Sequence, residues 1–247
     1  MASRAENTID QNHTRWNDKH EWSSDGDEWN GSARFCGQPY EAWKDSLVET
    51  FLLPHVTPES RTLEIAPGHG RWSTYLVDRA AHVDLVDLSE SCIDFCRDKF
   101  ADRTTVDYHV NDGSTLPVES GSIDFVWSFD SFVHMAPDVI RTYLQEINRV
   151  LRPGGEAVLH HAGRRHATRW LGGMRAFGSP GRYAYKLVSM SRIETTDGWR
   201  SNVSGRQVRD FAAELNVEVV DQTRSWGPEG EYTVERFNDW ITTLRKP

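Results

Sequence analysis

The sequence predicts an α/β fold, an open sheet of mostly parallel strands with helices on both faces. Three observations predict it. The apolar run Thr62-Leu-Glu-Ile-Ala66 ends in the glycine turn Pro67-Gly-His-Gly70, and a helical pattern follows. This is the strand–loop–helix order in which backbone N–H groups and a helix N-terminus approach a bound ligand. Short apolar strands then alternate with helical patterns as far as His161. A chain of 247 residues is long enough to bury one such core and to carry accessory elements.

Composition narrows the class. A hydrophobic content of 38% and 10 tryptophans argue against disorder. No apolar run approaches the roughly 20 residues of a membrane span, and Met-Ala-Ser-Arg-Ala-Glu lacks the apolar core of a signal peptide. Cys36, Cys92 and Cys96 form neither a disulfide framework nor a zinc spacing. A cytoplasmic protein with no membrane partner is expected. A net charge of −9 suits no polyanion, which argues against nucleic acid as partner. The charge is uneven: residues 1–60 hold 11 acids and 5 bases, residues 163–204 hold 8 bases and 2 acids. The two segments could face each other across the mouth of a site, or each could meet a different part of a substrate.

In chain order, residues 1–35 are polar and irregular, with Trp16, Trp22 and Trp29 among Asp18, Glu21, Asp25, Asp27 and Glu28. They read either as an arm packed by its indoles or as a cap, with Trp29 among the residues facing a substrate. Pro39 to Leu53 is helical, with Trp43, Leu47, Val48 and Phe51 on one face, and Pro54 ends it. A first helix is expected from Arg71 to Arg79. The second strand, His82–Asp87, ends on an acid 17 residues after Gly70. A carboxylate there can accept from two ribose hydroxyls; as an N-cap it is second to Ser89 for the helix reaching Phe100. The third strand is Thr105–Val110, followed by Asn111-Asp112-Gly113, which is also a common turn sequence. Ile123–Trp127 is the fourth strand, and Ser128, Asp130, Ser131 and His134 fall at its carboxyl end, where open sheets bind ligands. Ala136–Leu151 is a helix stopped by Leu151-Arg-Pro-Gly-Gly155, and Glu156–His161 is the fifth strand. Alternation sends His160 and His161 to opposite faces, so that one can reach a substrate. Ser204–Leu215 is helical, Val217–Asp221 a sixth strand, and Phe237–Leu244 a last, antiparallel one.

The stretch Glu64-Ile-Ala-Pro-Gly-His-Gly70 resembles the first motif of class I S-adenosylmethionine-dependent methyltransferases, acid-x-Gly-x-Gly-x-Gly. It matches at Glu64, Gly68 and Gly70 and departs at Ala66, a mild change provided φ there stays negative. A dinucleotide fingerprint would need glycine where Ser73 stands. An anionic Glu64 suits a cofactor with a cationic amino acid end better than a pyrophosphate. Asp130-Ser-Phe-Val-His-Met135 is similar to the family's fourth motif, and Leu151-Arg-Pro-Gly-Gly155 to the turn before its fifth strand. The resemblance covers residues 60–161 and is to the small-molecule, natural-product and aminosugar branch. It implies a Rossmann-like seven-stranded sheet and one domain: arm and cap helix at 1–58, cofactor-binding core at 59–162 and 204–247, and a substrate-recognition insert at 163–203.

The resemblance also implies the site. S-adenosylmethionine would be held by Glu64, Ala66, Gly68, Gly70, Asp87, Leu88, Asp112, Gly113 and Ser128, with Asp112 accepting from the adenine amino group. His134, whose ordinary pKa of about 6.5 leaves it mostly neutral near pH 7, is the candidate base. Asp130 would orient it or bind the acceptor; both could instead hydrogen-bond the loop in place. Tyr40, His160, His161 and Trp29 are candidate acceptor contacts, and no catalytic metal is expected. Three functions follow: methyl transfer to an amine of an aminosugar or aminoglycoside in antibiotic biosynthesis, favoured by the acidic leader; methyl transfer to a sugar, nucleotide-linked or not, or to a phenolic hydroxyl; or a non-catalytic cofactor-binding scaffold. The partner is a small-molecule acceptor, with the chain a monomer or a homodimer.

Overall fold

The computed structural model describes residues 7–23, 33–163, 178–180, 200–235 and 238–247. Trp29 and most of the 163–203 insert lie outside them. Seven strands form one sheet in the order β3-β2-β1-β4-β5-β9-β6, and β7-β8 is a separate hairpin. The strands are β1 Arg61–Ile65, β2 His82–Asp87, β3 Val106–Val110, β4 Ile123–Ser128, β5 Leu151–His161, β6 Glu218–Thr223, β7 Ser225–Trp226, β8 Tyr232–Thr233 and β9 Trp240–Arg245. The first five pair in parallel, whereas β9 runs antiparallel to both β5 and β6. The strand order reverses beside β1, between β2 and β4, and a ligand crevice opens at such a point.

Alternation along the strands sorts the core into two layers. Val83 and Leu85 of β2 and Phe125 and Trp127 of β4 face α3 (Tyr40–Leu47), α4 (Ser73–Val77) and α5 (Glu90–Lys99). Leu63, Ile65, Val86 and Val126 face α6 (Pro137–Val150) and α7 (Gly205–Glu214). Sequence signals account for the helix ends. Ser89 caps α5 by accepting from the Cys92 N–H, and Ser204 and Gln207 form a capping box on α7. Cys92 and Cys96 are buried thiols on α5, and burial pushes Cys96 up from its ordinary pKa.

The structure departs from the sequence reading at several places, among them a helix, Ile9–Asp18, in a leader read as irregular and a last strand that begins at Trp240 rather than Phe237. The helix from Pro39 ends as an α-helix at Leu47 and continues as a wide π turn, Val48–Leu52, ahead of Pro54, which has no N–H to extend the ladder. The first helix is short, Ser73–Val77 rather than Arg71–Arg79. Leu151-Arg-Pro-Gly-Gly155 ends α6 but belongs to β5, pairing at Leu151 with Ile123 across a register shift. The β7–β8 hairpin has no counterpart in the sequence reading; it packs Trp226 on Trp43 and Phe51. Among the described residues no helix is long and apolar enough to cross a membrane.

A further helix, α1 (Ile9–Asp18), lies across the carboxyl edge of the sheet. Its start is tied to the loop after β4: the Ala136 N–H donates to the Asn7 carbonyl, and Asn12 Nδ2 to the His134 carbonyl at 2.9 Å. Its end is tied to α5, where the Ser89 hydroxyl donates to Asn17 Oδ1 at 3.0 Å. Asn7 Nδ2 also donates to the Arg200 carbonyl, a contact between the arm and residue 200 that involves no charged group.

Candidate active site

The turn after β1 is left-handed at three residues. Gly68 has φ 56° and Gly70 φ 74°, and Ala66 has φ 60°. The expectation of a mild alanine needed a negative φ, and that condition fails. The Ala66 N–H extends the β1–β2 ladder to the Val86 carbonyl at 2.8 Å, which holds the residue in a conformation that suits glycine. A Cβ on Gly68 would stand 2.8 Å from the indole of Trp22. One on Gly113 would stand 2.7 Å from Ile9. The arm therefore packs on both glycines, a contact that an arm held by its indoles and a cap would both make. Trp22 stacks on His69, and Trp16 lies 5.1 Å from the His134 ring, centroid to centroid.

Two carboxylates sit under this turn on one face of the sheet. Glu64 is buried and accepts from the Ser73 hydroxyl at 2.5 Å. Burial raises its pKa from 4.5 to about 7, against that hydrogen bond. Asp87, at the end of β2, accepts from the Gly68 N–H at 3.2 Å and the Ser89 N–H at 2.9 Å. Burial raises it to about 6. A carboxylate offers about four acceptor positions, so Asp87 keeps capacity for a ligand's hydroxyls, and Leu88 beside it is half-buried.

Other residues of the expected site are occupied within the fold. Asp112 is exposed and closes its own turn, accepting from the Ser114 and Thr115 backbones and both hydroxyls. These bonds lower its pKa to about 2 and use the oxygens meant for an adenine amino group. Ser128 is buried; its hydroxyl donates to the Ile65 carbonyl at 2.8 Å and meets Ser131, joining β4 to β1. His161 is buried between the Ala162 carbonyl and Thr242, and burial lowers its pKa to about 4. It is a neutral core histidine rather than an acceptor contact.

Asp130 does not orient His134. Its φ of 64° turns the chain just before the 3-10 turn Phe132–His134 and takes its side chain off that face. The carboxylate instead meets Arg71 at 2.6 Å and His160 at 3.2 Å. Burial would raise its pKa, but its contacts with His160 and with the Arg71 charge outweigh that and hold it well below the carboxylate range. His160 is buried against Phe129, with ring centroids 4.1 Å apart, and its other nitrogen lies 3.3 Å from Asp239. Tyr40, at the start of α3, hydrogen-bonds Arg71 from the far side. Arg71, Arg200 and Asp239 escaped the sequence reading, since nothing local distinguishes them from surface charges.

The glycine turn after β1, the buried Glu64 and Asp87 carboxylates and the Arg71–Asp130–His160 row thus lie together at the carboxyl edge of the sheet. Residues 62–155 match the family model of a methyltransferase domain. The curated relatives each match less than half of this chain. A biotin biosynthesis bifunctional protein, BioHC, of Cellvibrio japonicus is 32% identical over 111 residues, 45% of this chain and 21% of that protein. A glycine/sarcosine/dimethylglycine N-methyltransferase of Actinopolyspora halophila is 35% identical over 109 residues, 42% of this chain and 19% of that protein. The chain thus spans about a fifth of the length of either. Geranyl diphosphate C-methyltransferase of Streptomyces coelicolor, solved with S-adenosylhomocysteine, superposes with a TM-score of 0.64 at 14% identity over 99% of this chain and 100% of that one. At that identity the likeness establishes the Rossmann-like methyltransferase fold and leaves the acceptor open.

Proposed function

We propose that this chain transfers a methyl group from S-adenosylmethionine to a small polar acceptor, an amine of an aminosugar or aminoglycoside. The observation that carries the cofactor reading is the pair of left-handed glycines at the end of β1 beside the buried Asp87 carboxylate, inside the segment that matches a methyltransferase domain. The residues fit the group. Gly68 and Gly70 add no side chain of their own to the turn, where Trp22 now packs on Gly68 and would give way to a ligand; Asp87 has an acceptor position for a ribose hydroxyl, and Glu64 supplies negative charge beneath a cationic amino acid end. Gly113 and Leu88 line the place of the base. When bound, the cofactor supplies an electrophilic methyl on a sulfonium.

The chain's own task is placement and the exclusion of water. The α1 arm covers the turn with Ile9 and Trp22, and Asp18 and Glu21 give it negative charge. Asp130, ionised beside β4, presents an anion where the acceptor would lie, and this favours a nitrogen acceptor over a hydroxyl. His134, half-buried against Trp16, is placed to take the proton that the acceptor nitrogen loses. Asp112 and Ser128 leave the binding set as side chains, and Tyr40 acts on Arg71.

The test is methyl transfer from labelled S-adenosylmethionine to aminosugars and to nucleotide-linked sugars. Label on an aminosugar nitrogen is expected. Label only on a sugar hydroxyl would move the assignment to oxygen, and cofactor binding with no transfer to either would leave a binding scaffold. Asp87→Ala is expected to raise the cofactor Kd tenfold or more, about 1.4 kcal/mol; unchanged binding removes Asp87 from the site.

A further inference from the structure

Cofactor binding does not account for a row of charges at the carboxyl edge. Arg71 leaves the turn after β1, Asp130 follows β4, His160 lies near the end of β5, and Asp239 precedes β9, whose antiparallel course starts it at the same edge. Arg71 donates to Asp130 Oδ2, Asp130 Oδ1 lies 3.2 Å from His160 Nδ1, and His160 Nε2 lies 3.3 Å from Asp239 Oδ2. Arg200 closes the row on the same Asp239 oxygen. His160 and Asp239 are each 1% exposed, whereas the Asp130 side chain is 34% exposed.

Such a row is a poor device for stability. Desolvating each ion costs several kcal/mol, and apolar replacements are often neutral or better. Two details indicate a positioning task instead. Asp130 is a non-glycine residue at φ 64°, a conformation that costs roughly 1–3 kcal/mol and persists only where its surroundings impose it. The Asp130 N–H donates to His160 Nδ1 at 3.2 Å, which holds the backbone of residue 130 and leaves the ring proton of the neutral histidine on Nε2; that nitrogen is buried with no hydrogen-bond partner among the described residues and has only the charge of Asp239, 3.3 Å away. Asp239 Oδ1 is buried and has no hydrogen-bond partner among the described residues. The carboxylate is thus retained at a cost, with its other oxygen directed at His160 and Arg200.

We propose that Asp239, acting through His160 on the backbone N–H of Asp130, is a positioning residue that holds Asp130 so that its carboxylate anchors an amino group of the acceptor. This rests on the methyl-transfer reading, which it deepens. Asp130 would touch the acceptor; His160 and Asp239 would not. Arg71 holds the opposite oxygen of Asp130, leaving Oδ1 and the remaining lone pairs to receive N–H groups.

The experiment uses the full chain and the variants Asp239→Asn, Asp239→Glu, Asp130→Asn and the double Asp130→Asn/Asp239→Asn. Three quantities are read: kcat and KM with a panel of aminosugars led by glucosamine, S-adenosylhomocysteine binding by calorimetry, and the His160 ring nitrogens by 15N NMR. Asp239→Asn is expected to raise the acceptor KM about tenfold while cofactor affinity stays within about twofold, and Asp239→Glu to recover part of the loss. In the Asp130→Asn background the same change should add little, because both act on one contact. The His160 spectrum should show its proton redistributed between the two nitrogens in Asp239→Asn. Independent, multiplying effects on KM would overturn the proposal, as would an unchanged KM in a folded variant. If no aminosugar is methylated by the parent chain, the acceptor reading and the anchor built on it fail together. An unchanged His160 spectrum in Asp239→Asn overturns the positioning chain alone, whether or not methyl is transferred.

Discussion

Glu64→Gln isolates the buried charge under the glycine turn. In the unfolded chain Glu64 ionises at about its ordinary 4.5, and in the fold it keeps its proton to about 7. At about 1.4 kcal/mol per unit, that rise corresponds to roughly 3 kcal/mol. Its sign follows from proton uptake: over this window the folded chain binds more protons than the unfolded one. The stability Glu64 contributes is therefore full below pH 4.5 and lost as pH rises through about 7. Asp87, raised to about 6, works in the same direction and is retained in the variant. Glutamine keeps an oxygen for the Ser73 hydroxyl and never ionises. Urea unfolding followed by tryptophan fluorescence at about pH 4 and about pH 8 compares the two chains. The variant should gain up to roughly 3 kcal/mol over the parent at the higher pH relative to the lower. It should also lose the parent's rise in S-adenosylmethionine affinity across neutral pH, since a cationic ligand favours ionised Glu64. A stability difference that is the same at both pH values would refute the argument that burial of this carboxyl sets its charge.

Ala66→Gly should raise thermal stability by about 1 kcal/mol, because glycine takes the left-handed conformation without a Cβ penalty; an unchanged or lower Tm would mean the turn tolerates alanine freely. His161→Gln tests the opposite pH limb. A neutral buried histidine lowered to about 4 contributes stability that is full above its ordinary 6.5 and is lost as pH falls toward 4. The glutamine variant should therefore lose less stability than the parent between about pH 6.5 and about pH 4 in the same unfolding assay. Parallel curves would show that His161 does not titrate differently in the fold.

Local physics made much of this protein legible in its sequence. Strand β2 could be read residue for residue because a short apolar run, buried on both faces, ends at Asp87. The caps Ser89 and Ser204, the inner face of α6 and the buried thiols of α5 follow from helical spacing and short side-chain-to-backbone bonds, which involve residues three or four apart. Gly68 and Gly70 announced a left-handed turn because few other residues take that conformation at low cost.

What only the tertiary structure decided depends on contacts between distant residues. Ala66 is left-handed because a bond to Val86 on another strand holds it there. Asp112 looks like a ligand group until its four hydrogen bonds within its own turn are seen. Asp130 and His134 share a motif, yet one reversed φ sends Asp130 to Arg71 and His160. Asp239 and Arg200 join that row from 79 and 40 residues beyond His160. Composition and periodicity carry no such pairing, because a buried charge is identified by its partner, and the partner is supplied by the fold.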